Sequence, residues 1–294
     1  MAPIEFDTFI VQPFLDKDSE TFSYVVFERQ GKTAVVIDSV LEFDAASGHT
    51  NTQGADRILA FIAGRNLKVA HILETHAHAD HLSAAPYLQQ HTGAPIGIGR
   101  HIQDVQRIFK DVFDFEKEFL ANGVQFDALF NDGDSITFGS LQFDVVHCPG
   151  HTPADCAYLV NGMALFVGDT LFMPDVGTAR CDFPGGSSKT LYHSIRKLLA
   201  YPDETAIFVC HDYPPENRSH ACRTSVAAQR AENIHMADGA TETEFVAMRD
   251  KRDATLAMPR LIIPSVQVNI RAGHFPPAAD NGVTYLKIPI NHLR

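Results

Sequence analysis

Among its 294 residues the chain has no apolar run of membrane-spanning length, so no segment reads as a transmembrane helix and no membrane partner is expected. It also lacks any block of Lys and Arg. Its 24 basic residues stand against 36 acidic ones, a formal net charge of −12. With no basic run to neutralise a phosphate backbone, nucleic acid is excluded as an expected partner. Cysteine is sparse and shows no pairing pattern. The five residues Cys148, Cys156, Cys181, Cys210 and Cys222 form no Cys-x-x-Cys and are odd in number, which argues against a disulfide framework and for a reduced, cytoplasmic compartment. The opening residues Met1 to Asp7 lack the basic then apolar pattern of a secretory leader. What is present is a 45% hydrophobic chain able to bury a large core. One compact α/β unit is expected.

The chemistry concentrates in His76-Ala77-His78-Ala79-Asp80-His81, directly behind the apolar run Val69 to Thr75. The run reads as a short buried strand, and the small residues after it let the chain turn while several imidazoles and a carboxylate project together. That is a metal site. Imidazole and carboxylate suit zinc or iron, and the Asp can ligate directly or orient a ligating ring. The isolated His71, His91, His101, His193 and His235 read instead as surface or satisfied core residues.

Along the chain, Thr8–Val11, Phe22–Phe27 and Ala34–Ile37 alternate with polar breaks and read as an antiparallel meander closed by Asp38. The stretch from Ser47 to Gly54 reads as a loop leading into a helix over about 55–63, where Ile58, Leu59 and Ile62 share a face. Strand, helix and strand in that order place ligands at a strand's C-terminal end, where open α/β sheets carry their chemistry. A short helix over 83–90, a strand at 96–98, and a polar and aromatic segment over 101–120 follow, whose Phe109, Phe113, Phe115 and Phe119 read first as ordinary core contacts and second as a helix or lid over a pocket. Strands at 135–138 and 141–146 make a hairpin, and 156–160 pairs with 163–167 across Asn161-Gly162. Beyond them His151, Asp169 and His211 each sit just past the end of a predicted strand. Strand-end ligands converge, so a shared site with the histidine cluster is the expectation. Past about Arg218 we expect a helix over 222–230, a second helix opened by a capping box of Thr241 and Glu244, and an extended tail over 259–270 and 275–294.

Taken together, Thr75-His76-x-His78-x-Asp80-His81, Gly150-His151-Thr152, Gly168-Asp169 and His211 resemble the metallo-β-lactamase superfamily over about the first three quarters of the chain. The resemblance implies an α/β fold, an αββα sandwich with metals along one edge, here as a core over 1–217 and a C-terminal extension over 218–294 packed on it. The segment Gly177-Thr178-Ala179-Arg180-Cys181-Asp182-Phe183, with Leu191-Tyr192-His193-Ser194 and His211-Asp212-Tyr213, is similar to the persulfide dioxygenases. The tail is similar to the longer bacterial branch of that family, which points to a bacterial cytoplasmic enzyme. Cys181 and Pro184-Gly185-Gly186 depart from the Thr and Gln-Gln-Gly of the human-type enzyme, so glutathione contacts there need not carry over.

That family implies one Fe(II) per chain held by His76, His151 and Asp169, a facial triad of two His and one carboxylate with open positions for substrate and O2. His78, Asp80, His81 and His211 are then neighbours that orient the ligands, or a vestigial second metal site. Arg180 becomes a catalytic and substrate-binding candidate, with a plain salt bridge to Asp182 as its alternative role, and Tyr213 a candidate beside the iron. The implied reaction converts glutathione persulfide, or a similar low-molecular-weight persulfide, to sulfite and free thiol in sulfide detoxification. A homo-oligomer, first of all a dimer, is the expected assembly. The same ligands would serve a dinuclear thioester hydrolase of the glyoxalase II type, so the ligand list alone leaves both reactions open. A non-enzymatic metal store or thiol-responsive module ranks behind them.

Overall fold

A computed structural model describes residues 1–293. The chain opens with β1 (Ile4–Glu5), β2 (Phe9–Asp16), β3 (Thr21–Glu28) and β4 (Thr33–Ile37), the antiparallel meander expected from the sequence. The stretch from Ser47 to Gly54 is not a plain loop. β5 (Val40–Asp44) and β6 (His49–Asn51) form a hairpin there. Asp44 makes the turn by accepting from the Ala46 amide and the Ser47 hydroxyl, local bonding that a hydropathy pattern does not register. Then come α1 (Gln53–Gly64), β7 (Lys68–Glu74), β8 (Leu82–Ser83), α2 (Ala85–Thr92), β9 (Ile96–Gly99), α3 (Ile102–Val112) and β10 (Ala128–Phe130). Phe113, Phe115 and Phe119 beyond α3 are buried in the core. The second half runs β11 (Ser135–Phe138), β12 (Leu141–His147), β13 (Cys156–Val160), β14 (Ala164–Phe166), α4 (Ser188–Leu198), β15 (Ala206–Phe208), β16 (Arg223–Ser225), α5 (Val226–Glu232), α6 (Glu242–Asp253) and α7 (Ile262–Asn269).

The strands form a seven-stranded sheet, β1-β2-β3-β4-β7-β9-β10, a six-stranded sheet, β11 to β16 in sequence order, and a small three-stranded one, β6-β5-β8. In the two large sheets the central strands are covered on both faces, which explains why β3, β4 and β13 read as apolar runs. β3 is buried at every position. Its Phe22, Tyr24 and Val26 point between the sheets, while Val25 and Phe27 point to the outer helices. β13 divides likewise, with Cys156, Tyr158 and Val160 inward and Ala157 and Leu159 outward. Two sheets with helices outside each make the αββα sandwich.

Two corrections concern the C-terminal region. The expected helix over 222–230 begins as β16, which pairs antiparallel with β15, and turns helical only where Ser225 caps the Ala228 amide. The second helix is α6, opened by the capping box of Thr241 and Glu244 as expected. The stretch over 259–270 is not extended, because 262–269 is the helix α7. Pro264 stands in its first turn, where a missing N–H costs nothing. Ile262, Val266, Val268 and Ile270 pack into the same core as α1 and α2, and that burial outweighs the poor helix propensity of β-branched residues. No helix of the described residues is long and apolar enough to cross a membrane.

Candidate metal centre

The parallel pairs β4–β7 and β14–β15 bring the C-terminal ends of these strands to one edge of the sandwich. The loops after β7, β12, β14 and β15 deliver His76 to His81, His151, Asp169 and His211 there. These residues fall into two groups, His76, His151 and Asp169 in one and His78, Asp80, His81 and His211 in the other, and within each group the ligating atoms lie within 4.8 Å of one another. Asp169 faces both. Its Oδ2 is 3.8 Å from His76 Nε2 and 3.5 Å from His151 Nε2, and its Oδ1 is 3.3 Å from His211 Nε2. Glycine makes this approach possible. Gly168 has φ +52°, and a Cβ there would meet Thr75 Oγ1 at 2.6 Å.

The hydrogen bonds fix which nitrogen of each ring is free. Thr75 donates its hydroxyl to Asp38 Oδ2 at 2.9 Å, so toward His76 Nδ1, 3.0 Å away, its oxygen can only accept. His76 Nδ1 therefore carries the proton and Nε2 the lone pair. A carbonyl can only accept, so His151 Nδ1 donates to Arg180 O at 2.8 Å and His81 Nδ1 to Leu82 O at 3.1 Å. His211 Nδ1 meets Thr21 Oγ1 at 3.3 Å. His78 is turned the other way, with Nε2 donating to Asp38 Oδ1 at 3.1 Å. The remaining nitrogens, His76 Nε2, His78 Nδ1, His81 Nε2 and His211 Nε2, are buried without a partner, as are Asp80 Oδ2 and Asp169 Oδ1. Buried polar atoms are rarely left so, and this many orphans converging on two points fits metal ions.

The charges agree. Burial first, and then the surrounding imidazoles, push His76 well below its usual pKa. Burial and His78 bring His81 down to about 4. Burial lowers His78 and His211 too, but Asp38 beside the one and Asp80 beside the other overcome it and hold both well above their usual values. A divalent cation would take over the neutralisation of these carboxylates and leave both rings neutral, as ligation requires.

His151, Asp169 and Asp80 open onto a cavity of about 410 Å³ walled by Phe172, Phe183, Leu256 and Pro259. A larger cleft of about 880 Å³ under the β5–β6 hairpin reaches the centre only at His81. Arg180 and Tyr213 both line the smaller cavity. Arg180 is already engaged, with Nε and Nη2 each 2.6 Å from Asp182 and Nη1 donating to Ala257 O. Tyr213 is 44% exposed and stacks on His211 with ring centroids 5.7 Å apart.

Several supporting residues carried no signal in the sequence that marked them. Asp38 read only as the end of a strand. Its left-handed backbone, φ +52°, aims a carboxylate that also accepts from the Thr75 amide at 2.8 Å. Glu74 accepts from Ser83 Oγ at 2.6 Å and stands 3.3 Å from His78 Nε2. Asn269, in α7, donates to the carbonyls of both His78 and His81 at 2.8 Å.

Comparison with known proteins follows the same lines. The sequence profile of the "Metallo-beta-lactamase superfamily" matches residues 17–211. A "probable metallo-hydrolase" of Burkholderia pseudomallei is 49% identical over 96% of this chain and 99% of its own. The "Glyoxylase B2" of Dictyostelium discoideum is 47% identical over 97% of this chain and 98% of its own. The mitochondrial "Persulfide dioxygenase ETHE1" of Homo sapiens is 29% identical over 92% of this chain and 91% of its own. Among solved structures, ETHE1 from Myxococcus xanthus superposes with a TM-score of 0.70 at 29% identity, covering 90% of this chain and 99% of that one.

Proposed function

The chain belongs to the metallo-beta-lactamase superfamily, and from that premise we propose that it is an iron-dependent persulfide dioxygenase. Its substrate is glutathione persulfide or a similar low-molecular-weight persulfide. One persulfide, one O2 and one water give sulfite, the free thiol and two protons. The observation that carries this reading is the group His76, His151 and Asp169, two imidazole lone pairs and one carboxylate converging at the floor of an open cavity. Two histidines and a carboxylate with open positions are the donor set of non-haem iron oxygenases. The likeness to ETHE1 proteins supports it, since it spans 90% of the chain and so reaches into the C-terminal segment.

Bound there, iron would supply the redox chemistry that lets a persulfide react with O2. The chain's own residues do the rest. Thr75 and the Arg180 carbonyl hold His76 and His151 in the tautomers that present Nε2. Phe172, Phe183, Leu256 and Pro259 give the cavity an apolar wall beside the candidate ligands. Arg252 and Arg260 stand at the rim with no ion pair or hydrogen bond to their guanidinium groups among the described residues, and they suit the carboxylates of glutathione.

A second reading has its own support. Asp169 Oδ1 faces a second group, His78, Asp80, His81 and His211, whose free atoms are equally orphaned, and two relatives bear the names metallo-hydrolase and glyoxylase. A dinuclear thioester hydrolase would use both groups. The separating experiment is oxygen uptake by iron-loaded protein on adding glutathione persulfide, with glutathione and a glutathione thioester as controls. We expect uptake with persulfide alone, together with sulfite, and one iron per chain. Thioester cleavage without uptake, and two metals per chain, would select the hydrolase. Alanine at His76, His151 or Asp169 is expected to abolish iron and activity together, and alanine at His211 to leave most of the iron in place.

A further inference from the structure

His151 is held from behind by a loop that is itself held from the C-terminal segment. Its Nδ1 donates to the carbonyl of Arg180, and the next amide, Cys181 N, donates to Asp253 Oδ2 at 2.7 Å. Asp253 is paired with Arg249, whose Nε lies 2.9 Å from Asp253 Oδ1, while Arg249 Nη1 donates to Thr178 O at 3.0 Å. Two further backbone groups of the loop are bound from the same side. Thr178 N donates to His235 Nδ1 at 3.1 Å, and Gly177 O accepts from Asn233 Nδ2 at 3.1 Å. Burial, with Arg249 and Arg252 nearby, brings His235 down to about 4, so its ring is neutral and free to accept.

This pair is a costly one. Arg249 is 1% exposed and Asp253 3%, and withdrawing two charges from water is repaid only by good geometry. A buried pair that served stability alone could be replaced by apolar side chains. What apolar residues could not do is accept from Cys181 N and donate to Thr178 O at the two ends of the segment that carries the Arg180 carbonyl. We propose that the Arg249–Asp253 ion pair of α6 is a positioning device for the metal ligand His151, acting through the loop 177–181. The proposal rests on reading His151 as a metal ligand and holds for either reaction. It makes α6 part of the metal centre although none of its residues ligates.

The test is the double variant Arg249→Met/Asp253→Leu, which removes the charges together and leaves neither stranded. Cobalt(II) serves as the probe, its affinity measured by competition with a chelator and its coordination by the visible d–d bands. Loss of a partner that orients a ligand typically weakens metal binding 10–100-fold. We expect a loss of that size with altered bands, in a protein whose circular dichroism is unchanged. Affinity within threefold of wild type in the folded variant would overturn the proposal. Should the variant not fold, wild-type protein gives a second test. Coupling between sites is reciprocal, so cobalt loading should slow amide exchange at Cys181 and over residues 249–253 at least tenfold. Exchange there unaffected by bound cobalt would equally overturn it. Failure of wild type to bind cobalt at all would sink the reading of His151 itself, a distinguishable result.

Discussion

Asn269 does with one amide what the histidine loop cannot do for itself. The turn from His76 to His81 follows no helix or sheet ladder, so its carbonyls need partners from elsewhere. Asn269 Nδ2 serves His78 O and His81 O at 2.8 Å each, while its Oδ1 accepts from Ser83 N at 2.8 Å. Only an amide offers donors and an acceptor in that shape. Asn269→Asp is nearly isosteric but has no donor, and it turns a carboxylate toward two carbonyl oxygens. We expect it to destabilise the fold by about 2–4 kcal/mol, since buried groups left unpaired cost about 1–3 kcal/mol each, and to weaken metal binding as the loop relaxes. Urea unfolding and metal titration measure the two effects, and a variant within 0.5 kcal/mol of wild type, roughly the spread of neutral surface changes, would refute this. The contrast with the candidate ligands explains what the sequence could reveal. His76, His78, Asp80 and His81 are legible because they are neighbours in the chain. Asn269 reaches the same loop across 191 and 188 residues, and Asp38 reaches His78 across 40. Nothing local distinguishes an asparagine or an aspartate with such a task.

Elements of the sandwich were legible where both faces of a strand are apolar. β3, β4, β13 and β15 each stand where an apolar run reads as a strand, because burial on two sides leaves little room for polar residues, while β12 alternates buried Leu141 and Phe143 with the more exposed Gln142 and Asp144. α7 defeats the same reasoning, since Ile262, Ile263, Val266 and Val268 carry β propensity and only their fit into the core makes them helical. Connections between elements depend on polar residues, and Glu28 is the clearest. It ends β3 and accepts from the Thr33 amide at 2.9 Å and from the Ser140 amide and hydroxyl at 2.7 and 2.9 Å. It thereby ties β4 to the turn between β11 and β12, and one sheet to the other. Burial would raise its pKa, but the Ser140 and Thr33 donors outweigh that and lower it from the usual 4.5 to about 2. A depressed carboxyl stabilises the fold fully above its unfolded value and loses that contribution as pH falls through its folded value. The contribution of Glu28 is therefore complete above about pH 4.5 and fades toward pH 2. Glu28→Gln is expected to cost about 2 kcal/mol near pH 7, the worth of hydrogen bonds to a charged acceptor. The gap from wild type should narrow toward pH 3 in denaturant titrations, and a gap independent of pH would contradict the assignment.

On the scale of the whole molecule, the C-terminal segment divides its helices between the two outer layers. Phe245 of α6 packs with α4 on the second sheet, and α7 packs with α1 and α2 on the first. Each also bonds to a loop of the candidate metal centre, α6 at the Cys181 amide and α7 at the His78 and His81 carbonyls. The site is thus the place where both halves of the sandwich meet. It is also where buried charge is densest, with Asp38, Glu74, Asp80 and Asp169 beside five histidines. Such a cluster is unfavourable to assemble unless a cation completes it. Metal that binds the folded chain alone must therefore stabilise it, by about 2.7 kcal/mol at a hundredfold excess over Kd. For a chain of 294 residues that is roughly 4 °C in Tm, at about 2.1 cal/mol/K of unfolding entropy per residue. Calorimetry before and after chelation is expected to show a fall of that order, reversed by adding metal back. Because α6 and α7 hold the loops that carry His151 and His78, the loss should spread to both outer layers. Proteolysis after metal removal should then open the chain first near the C-terminal segment, and a Tm indifferent to chelation would mean that the orphaned atoms are satisfied in some way other than by a metal.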